Sequence, residues 1–499
     1  MILSDFIPTT PKTFKSIIIF LFLLSTYAAT AQSQTRTLKK DSLLLDIEYL
    51  EGILTEAHPG LYRYNSKEDI VLLFKNLRNQ VKDNIEEKEW MILLSQTIND
   101  IKCGHTYLNP WNMKKSIRNR LFGGNIYLPL GFKVLENEMI VTHNLTDFDI
   151  RKGDQIISID GHFTKQILDS LRTIVSTDGN NKNALGHHLS LDEFDVSHWE
   201  LFDLNYHLFF SVNRNFMLEI KSYKEDSIKK YVIPALSKQE RMDRYKGLSV
   251  DRWDFEIRED KAIMKLGDFA IWNWKDFDYK IWFQDAFQKL GAAQINNLII
   301  DIRGNTGGLG EVRDELLSYL ITAPVEAHQQ KILVRTTKVD EKYKPYSDTW
   351  VKWIFEGLST LEYRRFNEEF YELSESFDSE IIHPKKTAFK GNVYMLGDAS
   401  NVSATFTLLE NTKQLETVYF VGNETGGNKQ GINGGEYIFF YLPYSGMEVD
   451  VPLKFFYGGA NRKDEGVQPD YEVSYNKEDI ATNFDPYLSL VEKLIKEKK

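Results

Sequence analysis

A single cysteine, Cys103, stands in a chain of 499 residues. One thiol cannot close an internal disulfide or supply a multi-thiolate metal site, so neither device can hold this fold. Positive charge is also in deficit: 61 Lys and Arg face 72 Asp and Glu, a formal net charge of -11. A polyanionic partner would meet a repulsive average field, which disfavours nucleic acid. Beyond the N-terminal segment, no apolar run reaches the roughly 20 residues that a membrane span requires. Internal repeats and low-complexity tracts are absent too. What is there is globular in kind: 42% hydrophobic and 27% charged residues give ample material for a core. At roughly 150 residues per domain, the length allows about three domains.

Residues 12–31 read KTFKSIIIFLFLLSTYAATA. Lys12 and Lys15 make a basic start, residues 16–26 an apolar stretch too short to span comfortably, and Ala29-Thr30-Ala31 a small-x-small cleavage pattern. The segment 1–31 is expected to be a secretory signal, with Gln32 the first mature residue; the alternative is an uncleaved anchor. An exported protein without disulfides suits a bacterial periplasm, or the bacterial exterior, better than a eukaryotic secretory route.

Three regions follow. Residues 40–110 are predicted to be helical. Leu43, Ile47, Leu50 and Leu54 fall on one stripe. Ser66-Lys67-Glu68-Asp69 has the form of a capping box and opens a second stripe through Ile70, Phe74 and Leu77. A third stripe runs through Trp90, Leu94, Ile98 and Ile101, with Gly104 placed to end it. Residues 122–240 change period. LPLGFKVLENEMIVTHNL reads as two strands about a tight turn, and 217–234 as a closing hairpin. The stretch 173–213 is an insertion with no clear period. Residues 250–499 alternate strand and helix, which predicts an α/β sheet with active groups at strand ends. The expected fold class is therefore multidomain α/β.

Several constellations could carry chemistry. In DIRGNTGGLGE, residues 301–311, a buried strand enters a glycine-rich loop whose N–H groups can converge on a negative oxygen. It is neither a dinucleotide fingerprint nor a P-loop, and a plain turn is the bland alternative. In LGDASNVSATFTLLEN, residues 396–411, Ser400 and Ser403 both stand at a strand-to-helix junction. A serine there meets the positive end of a helix and a ready oxyanion donor, although taken alone such serines are more often helix caps. His105 has the best context of the ten histidines for a base. His187-His188 lacks a third ligand at metal spacing, so no metal site is expected.

Together, DIRGNTGG, NVSAT and FVGNETGGN resemble the tail-specific (C-terminal-processing) and tricorn-like serine peptidases. IKCGHTYLNP is similar to the histidine segment of the tricorn-like members, KGDQIISIDG to a PDZ core, and the run from Gly426 to GVQPD to the end of the catalytic domain. The resemblance covers nearly the whole mature chain. It implies an N-terminal helical domain (40–110), a PDZ-like β-rich domain with an insertion (122–240) and an α/β, crotonase-like catalytic core (250–499). Ser403 matches the nucleophile, because its distance to Gly422 fits the family without a gap. His105 matches the base. Glu465 is the nearest match to the orienting glutamate, with Asp464 a close rival and Glu424 a distant one. The oxyanion donors would be the N–H groups of Ala404 and of Gly307 or Gly308. The resemblance implies protein or peptide substrates; Leu130, Gly131 and Phe132 sit where PDZ domains capture a terminal carboxylate, and this hairpin either takes substrates by their C-termini or only supports the fold. No cofactor is implied.

The implied reaction is peptide hydrolysis by Ser-His-Glu, with activity rising through a histidine-like pKa of roughly 6 to 7. Bacterial tail-specific members use a Ser/Lys dyad instead; their lysine falls on Asn428 here, with Lys429 adjacent. Other readings are a catalytically inactive peptide- or ligand-binding protein of the same fold, and a carbohydrate-active enzyme. For the last, no carboxylate pair can be singled out from 72 acids. Arg303 is expected to brace its loop, and Cys103 to be a buried small residue.

Overall fold

The computed structural model describes residues 36–122, 126–191, 199–210, 213–245, 252–326, 331–373, 381–459 and 461–498. The expected signal segment, 1–31, lies outside the described residues.

The N-terminal helices form as their periodicity dictates. Helix Lys40–Ala57 buries Leu43, Ile47, Leu50 and Leu54 on one side. Helix Lys67–Gln80 starts at a true capping box: Ser66 Oγ accepts from the Asp69 N–H at 3.0 Å, and the Asp69 carboxylate accepts from the Ser66 N–H at 3.0 Å. Helix Glu87–Asn99 buries Trp90, Leu94 and Ile98. It stops before Gly104. The left-handed residue after it is Lys102, at φ 61°. Gly104 is glycine for want of space, since a Cβ there would lie 3.2 Å from the Asp178 carboxylate.

These helices do not close a core alone. Their apolar side packs with Ile438, Phe440, Val449, Val451 and Leu453. Those residues belong to strands Ile432–Tyr441 and Glu448–Tyr457, the longest pair of a six-stranded sheet whose ladders are antiparallel. The helical region is thereby fused to a sheet drawn from the C-terminal third of the chain.

A second six-stranded sheet runs in the order Tyr471–Glu472, Val418–Gly422, Asn392–Gly397, Asn297–Asp301, Lys261–Leu266 and Trp253–Arg258. Its ladders are parallel except for the hairpin at Trp253–Arg258. Strand alternation divides the side chains between two cores. Leu298, Ile300, Val393 and Met395 face helices Tyr279–Ala292, Gly310–Leu320 and Ser403–Thr412. Ile299, Tyr394 and Leu396 face the C-terminal helix Pro486–Glu497. Covering both faces is what a parallel sheet requires, and it leaves the strand ends free for chemistry.

A third unit is a sheet in the order Leu130–Leu135, Glu138–Asn144, Gln155–Ile159, Asn215–Lys221 and Ile228–Pro234, antiparallel throughout. The described part of the insertion holds helices Ala184–Leu189 and Trp199–Phe209, which its lack of period did not predict. Leu185, Leu189, Phe202, Tyr206 and Phe210 lie in the same core as the sheet. Its short helices are buried on several sides, so no single stripe marks them. One polar contact anchors it: Asp203 accepts from the Leu128 N–H at 2.8 Å and from Arg241 Nη1 at 2.7 Å, both side chains being nearly inaccessible. Asp203→Ala should therefore cost about 3–5 kcal/mol, as removal of one partner of a buried ion pair does. A lower urea midpoint at unchanged m value would register the loss; an unchanged midpoint would refute it.

Candidate active site

The serine segment is built on the end of strand Asn392–Gly397. Ser400 is fully buried, and its hydroxyl donates to Asp398 within the turn. Ser403 is only part-buried and opens helix Ser403–Thr412. Its φ of 51° is left-handed, an unfavourable conformation for a serine. Such strain costs of order 1–3 kcal/mol and persists only where the surroundings impose it.

Two buried asparagines impose it here. Asn401 Nδ2 donates to Ile302 O at 2.7 Å and Asn305 O at 3.0 Å. Asn305 Nδ2 donates to Leu266 O at 2.8 Å, and Thr405 Oγ1 donates to Asn305 O at 2.9 Å. The glycine loop is thus stapled to the serine turn. A Cβ on Gly307 would lie 2.9 Å from Ala404 N and from Val402 O, and one on Gly308 2.2 Å from Phe269 C. Neither position can carry a side chain. The Gly307 N–H donates to Asn305 Oδ1 at 2.9 Å, which takes it away from a substrate oxygen. The N–H groups of Gly308 and Ala404 are the two that remain.

His105 comes from the far side. Its Nδ1 lies 4.0 Å from Asp178 Oδ2 and is a buried atom without a hydrogen-bond partner. Asp178 is in turn fixed by the Gly104 N–H, which donates to its Oδ1 at 2.9 Å. Burial pushes the His105 pKa below its ordinary value; Asp178 opposes that shift and Arg63 adds to it. Asp178 escaped the sequence reading. It lies in the patternless stretch 173–213, and no spacing relates it to His105.

The turn Asp178–Asn181 grips the loop after strand Val418–Gly422. Asn181 Nδ2 donates to Thr425 O and Gly427 O, each at 2.8 Å. Asn428 Nδ2 donates to Asp178 O at 3.2 Å and to Asp464 Oδ1 at 2.6 Å. The same loop abuts the serine turn: a Cβ on Gly426 would lie 3.1 Å from Val402 Cγ1 and 2.2 Å from Ala399 O. Residues 425–428 are therefore the piece that joins the histidine side to the serine side.

The segment following His105 is tied to strand Glu448–Tyr457. Leu108 bridges Val449, the Asn109 N–H donates to Glu448 O at 3.1 Å, and Asn109 Nδ2 donates to both Asp450 oxygens at 3.3 and 3.2 Å. Glu448 and Asp450 lie side by side in the interior. Burial and Asp450 push the Glu448 pKa far up; burial raises Asp450 as well, but hydrogen bonds from Glu448, Asn109 and Tyr107 oppose that rise. Neither Glu448 oxygen has a hydrogen-bond partner within 3.5 Å, and Asn112 is the one side chain that favours its anion. Protonated, Glu448 donates to Asp450, and the clamp closes.

The remaining expected residues fall elsewhere. Glu465 does not face His105 in the described contacts: it accepts from Lys429 Nζ at 2.9 Å, with Lys463 Nζ 3.8 Å away, near the surface. The carboxylate beside His105 Nδ1 is Asp178, not Glu465. Asp464 braces Asn180 and Asn428, and Glu424 accepts from the Gly466 N–H. Lys429 is held in its ion pair with Glu465. Leu130, Gly131 and Phe132 are buried. The Phe132 N–H donates to Leu191 O at 3.1 Å and Phe132 O accepts from the Leu191 N–H at 2.8 Å. The insertion has taken the strand edge on which a peptide was expected to add. Arg303 braces its loop through Asp301 and Asp485. Cys103 is buried, with its Sγ accepting from Asn433 Nδ2 at 3.1 Å.

Residues 263–473 match the family model of Peptidase family S41. No curated protein matches the chain. Among solved structures, mature CPAF superposes with a TM-score of 0.62 at 15% identity, covering 91% of this chain and 97% of that one. CPAF complexed with lactacystin gives 0.61 at 15% identity with the same coverage. The photosystem II D1 C-terminal processing protease gives 0.42 at 14% identity, covering 87% and 93%. At these identities the CPAF likeness speaks for the fold.

The protonated Glu448 gives a signed prediction. Its folded pKa stands above the unfolded one, so the folded state keeps a proton that the unfolded chain releases. Stability is then lost as pH rises above the ordinary carboxylate range. Glu448→Gln cannot titrate. Its stability relative to the parent should grow between about pH 5 and about pH 8, by up to about 1.4 kcal/mol per pH unit. Denaturant melts across that range check it, and a constant difference would show that Glu448 is ionised.

Proposed function

We propose, for this serine-type peptidase whose residues 263–473 belong to Peptidase family S41, that Ser403 is the nucleophile, His105 its base and Asp178 the carboxylate that orients the base. His105 Nε2 removes the hydroxyl proton as Ser403 attacks a peptide carbonyl, and later delivers it to the leaving amine. Asp178 faces Nδ1, favours the Nδ1–H tautomer and stabilises the imidazolium. Its 4.0 Å separation is long, as catalytic hydrogen bonds often are before substrate closes the site. The N–H groups of Gly308 and Ala404 receive the oxyanion, worth about 3 kcal/mol per donor in comparable sites. The reaction so written uses no cofactor.

The observation that carries this reading is the strained Ser403 pressed against a glycine loop that tolerates no side chain. Strain and close approach of this kind are hard to explain for a mere helix cap. A Ser/Lys mechanism is less well supported, because Lys429 is engaged by Glu465. We read residues 250–499 as a crotonase-like core and 122–240 as a PDZ-like domain whose outer strand edge is filled by its own insertion. The substrates are proteins or peptides. Residues 12–31 favour export to a bacterial periplasm or beyond.

A fluorophosphonate probe should label the parent protein and leave Ser403→Ala unlabelled; labelling of neither would favour a binding protein over an enzyme. His105→Ala should lower kcat/KM by roughly 10³-fold or more, and Asp178→Asn by roughly 10²–10⁴-fold through loss of the correct tautomer. Lys429→Ala and Glu465→Gln should change it less than about tenfold, as surface ion-pair partners do. The acid limb of kcat/KM should fall below the ordinary histidine value of about 6.5, because burial and Arg63 hold His105 neutral. Activity confined to alkaline conditions would point to lysine as the base.

A further inference from the structure

We infer that the cavity of about 300 Å³ walled by Arg63, Arg335, Phe370, Phe455 and Gln430 is a subsite for a carboxylate of the peptide substrate. The inference rests on the peptidase reading above and adds a chemical class of substrate to it.

The cavity adjoins the histidine side of the site. Gln430 follows Asn428 by two residues in the bridging loop. Arg63 Nη1 donates to Gly431 O at 2.6 Å and Nη2 to Asn433 Oδ1 at 2.5 Å. Asn433 in turn holds Cys103, two residues before His105.

Glu369 also lines the cavity, and its charge favours the Arg335 cation, yet among the described residues no ion pair joins a carboxylate to Arg63 or Arg335. The Arg63 partners are neutral, and its Nε is buried without any acceptor. Arg335 Nε donates to His58 O at 2.8 Å and Nη2 to Pro59 O at 3.3 Å, again neutral acceptors. The acids at hand are engaged otherwise: Glu369 pairs with Lys67 Nζ at 3.0 Å, and Glu410 pairs with Arg462. The field of the two arginines reaches their neighbours. Burial and both arginines push His58 down to about 3, and Arg63 alone of the two adds to the lowering of His105. Arg335 itself lies below its ordinary pKa through burial.

The shape suits a planar anion. Arg63 lies 4.0 Å from the Phe455 ring centre, and Arg335 4.7 Å from Tyr62 and 5.2 Å from Phe370. Contact with the rings positions each guanidinium; Arg335 Nε and Nη2 already donate to the backbone, so Arg335 Nη1, which has no hydrogen bond among the described contacts, is the donor that can reach a carboxylate. Two such groups at one cavity make a carboxylate a better fit than a neutral or basic side chain. The carboxylate can come from the chain terminus or from an internal Asp or Glu, and the two sources are separable.

The test is binding, which does not depend on turnover. Full-length Ser403→Ala protein is titrated against three fluorescein-labelled hexapeptides of Ala and Leu: one with a free C-terminus, one amidated, and one amidated with a single internal glutamate. Fluorescence anisotropy should show at least one carboxylate-bearing peptide binding about tenfold tighter than the neutral amide, the scale of one charge-assisted hydrogen bond. That advantage should vanish in Arg335→Gln while the affinity for the neutral amide stays unchanged. Arg335→Lys, which keeps the charge and loses the fork, should retain part of it. An advantage for the free terminus alone assigns the subsite to C-termini; one for the internal glutamate assigns it to acidic side chains. Equal binding of all three, binding of none, an advantage that survives Arg335→Gln, or an equal loss for all three peptides would overturn the inference. Carboxylate-dependent binding without fluorophosphonate labelling of the parent would instead sink the peptidase reading and leave the subsite standing.

Discussion

The site depends on two buried amide side chains. Asn305 and Asn401 spend their donors and acceptors on backbone groups that no regular ladder could satisfy, and in doing so lock the glycine loop against the serine turn. Buried backbone carbonyls left unpaired would each cost on the order of 1–3 kcal/mol, so the staple is strongly specified. Its consequence is geometric. With Gly307 against Ala404, a left-handed Ser403 is the conformation that remains, and the Gly308 and Ala404 N–H groups are left for a ligand.

The histidine side answers to a different balance. His105 sits between burial and Arg63, which disfavour the imidazolium, and Asp178, which favours it. A general base works best when neutral before the reaction and tolerably stable once protonated. Opposed influences of this kind produce that state better than a close ion pair, which would hold the ring charged. The Arg63 guanidinium also lines the adjacent cavity, so one charge acts both on His105 and on that cavity.

Much of this was legible in the chain. The helical stripes, the capping box at Ser66 and the strands leading to the two functional loops follow from local periodicity and local hydrogen bonding. A family spacing prefers Ser403 to Ser400; in the structure the Ser400 hydroxyl donates to Asp398 within its own turn. Three readings needed amendment. Asp178 was hidden because the insertion that bears it is buried on several sides and has no period. Glu465 has a suitable position in sequence, yet its side chain turns outward to Lys429. Phe132 lies on an edge strand, but the edge is closed by Leu191, a partner that no strand pattern reveals.

By itself the sequence determined which residue types could do chemistry and which loops had to be glycine. Those properties are written in composition and short-range spacing. It also determined where helices and strands begin, because caps and alternation act within a few residues. Only the tertiary structure decided which carboxylate lies beside the imidazole, which loop N–H is spent inside its own turn and which arginines line a common cavity. The first and the last of these join segments tens to hundreds of residues apart, set by how the helical region shares a core with a C-terminal sheet. Packing chooses such contacts by shape and burial, and neither is carried by any local stretch of the chain.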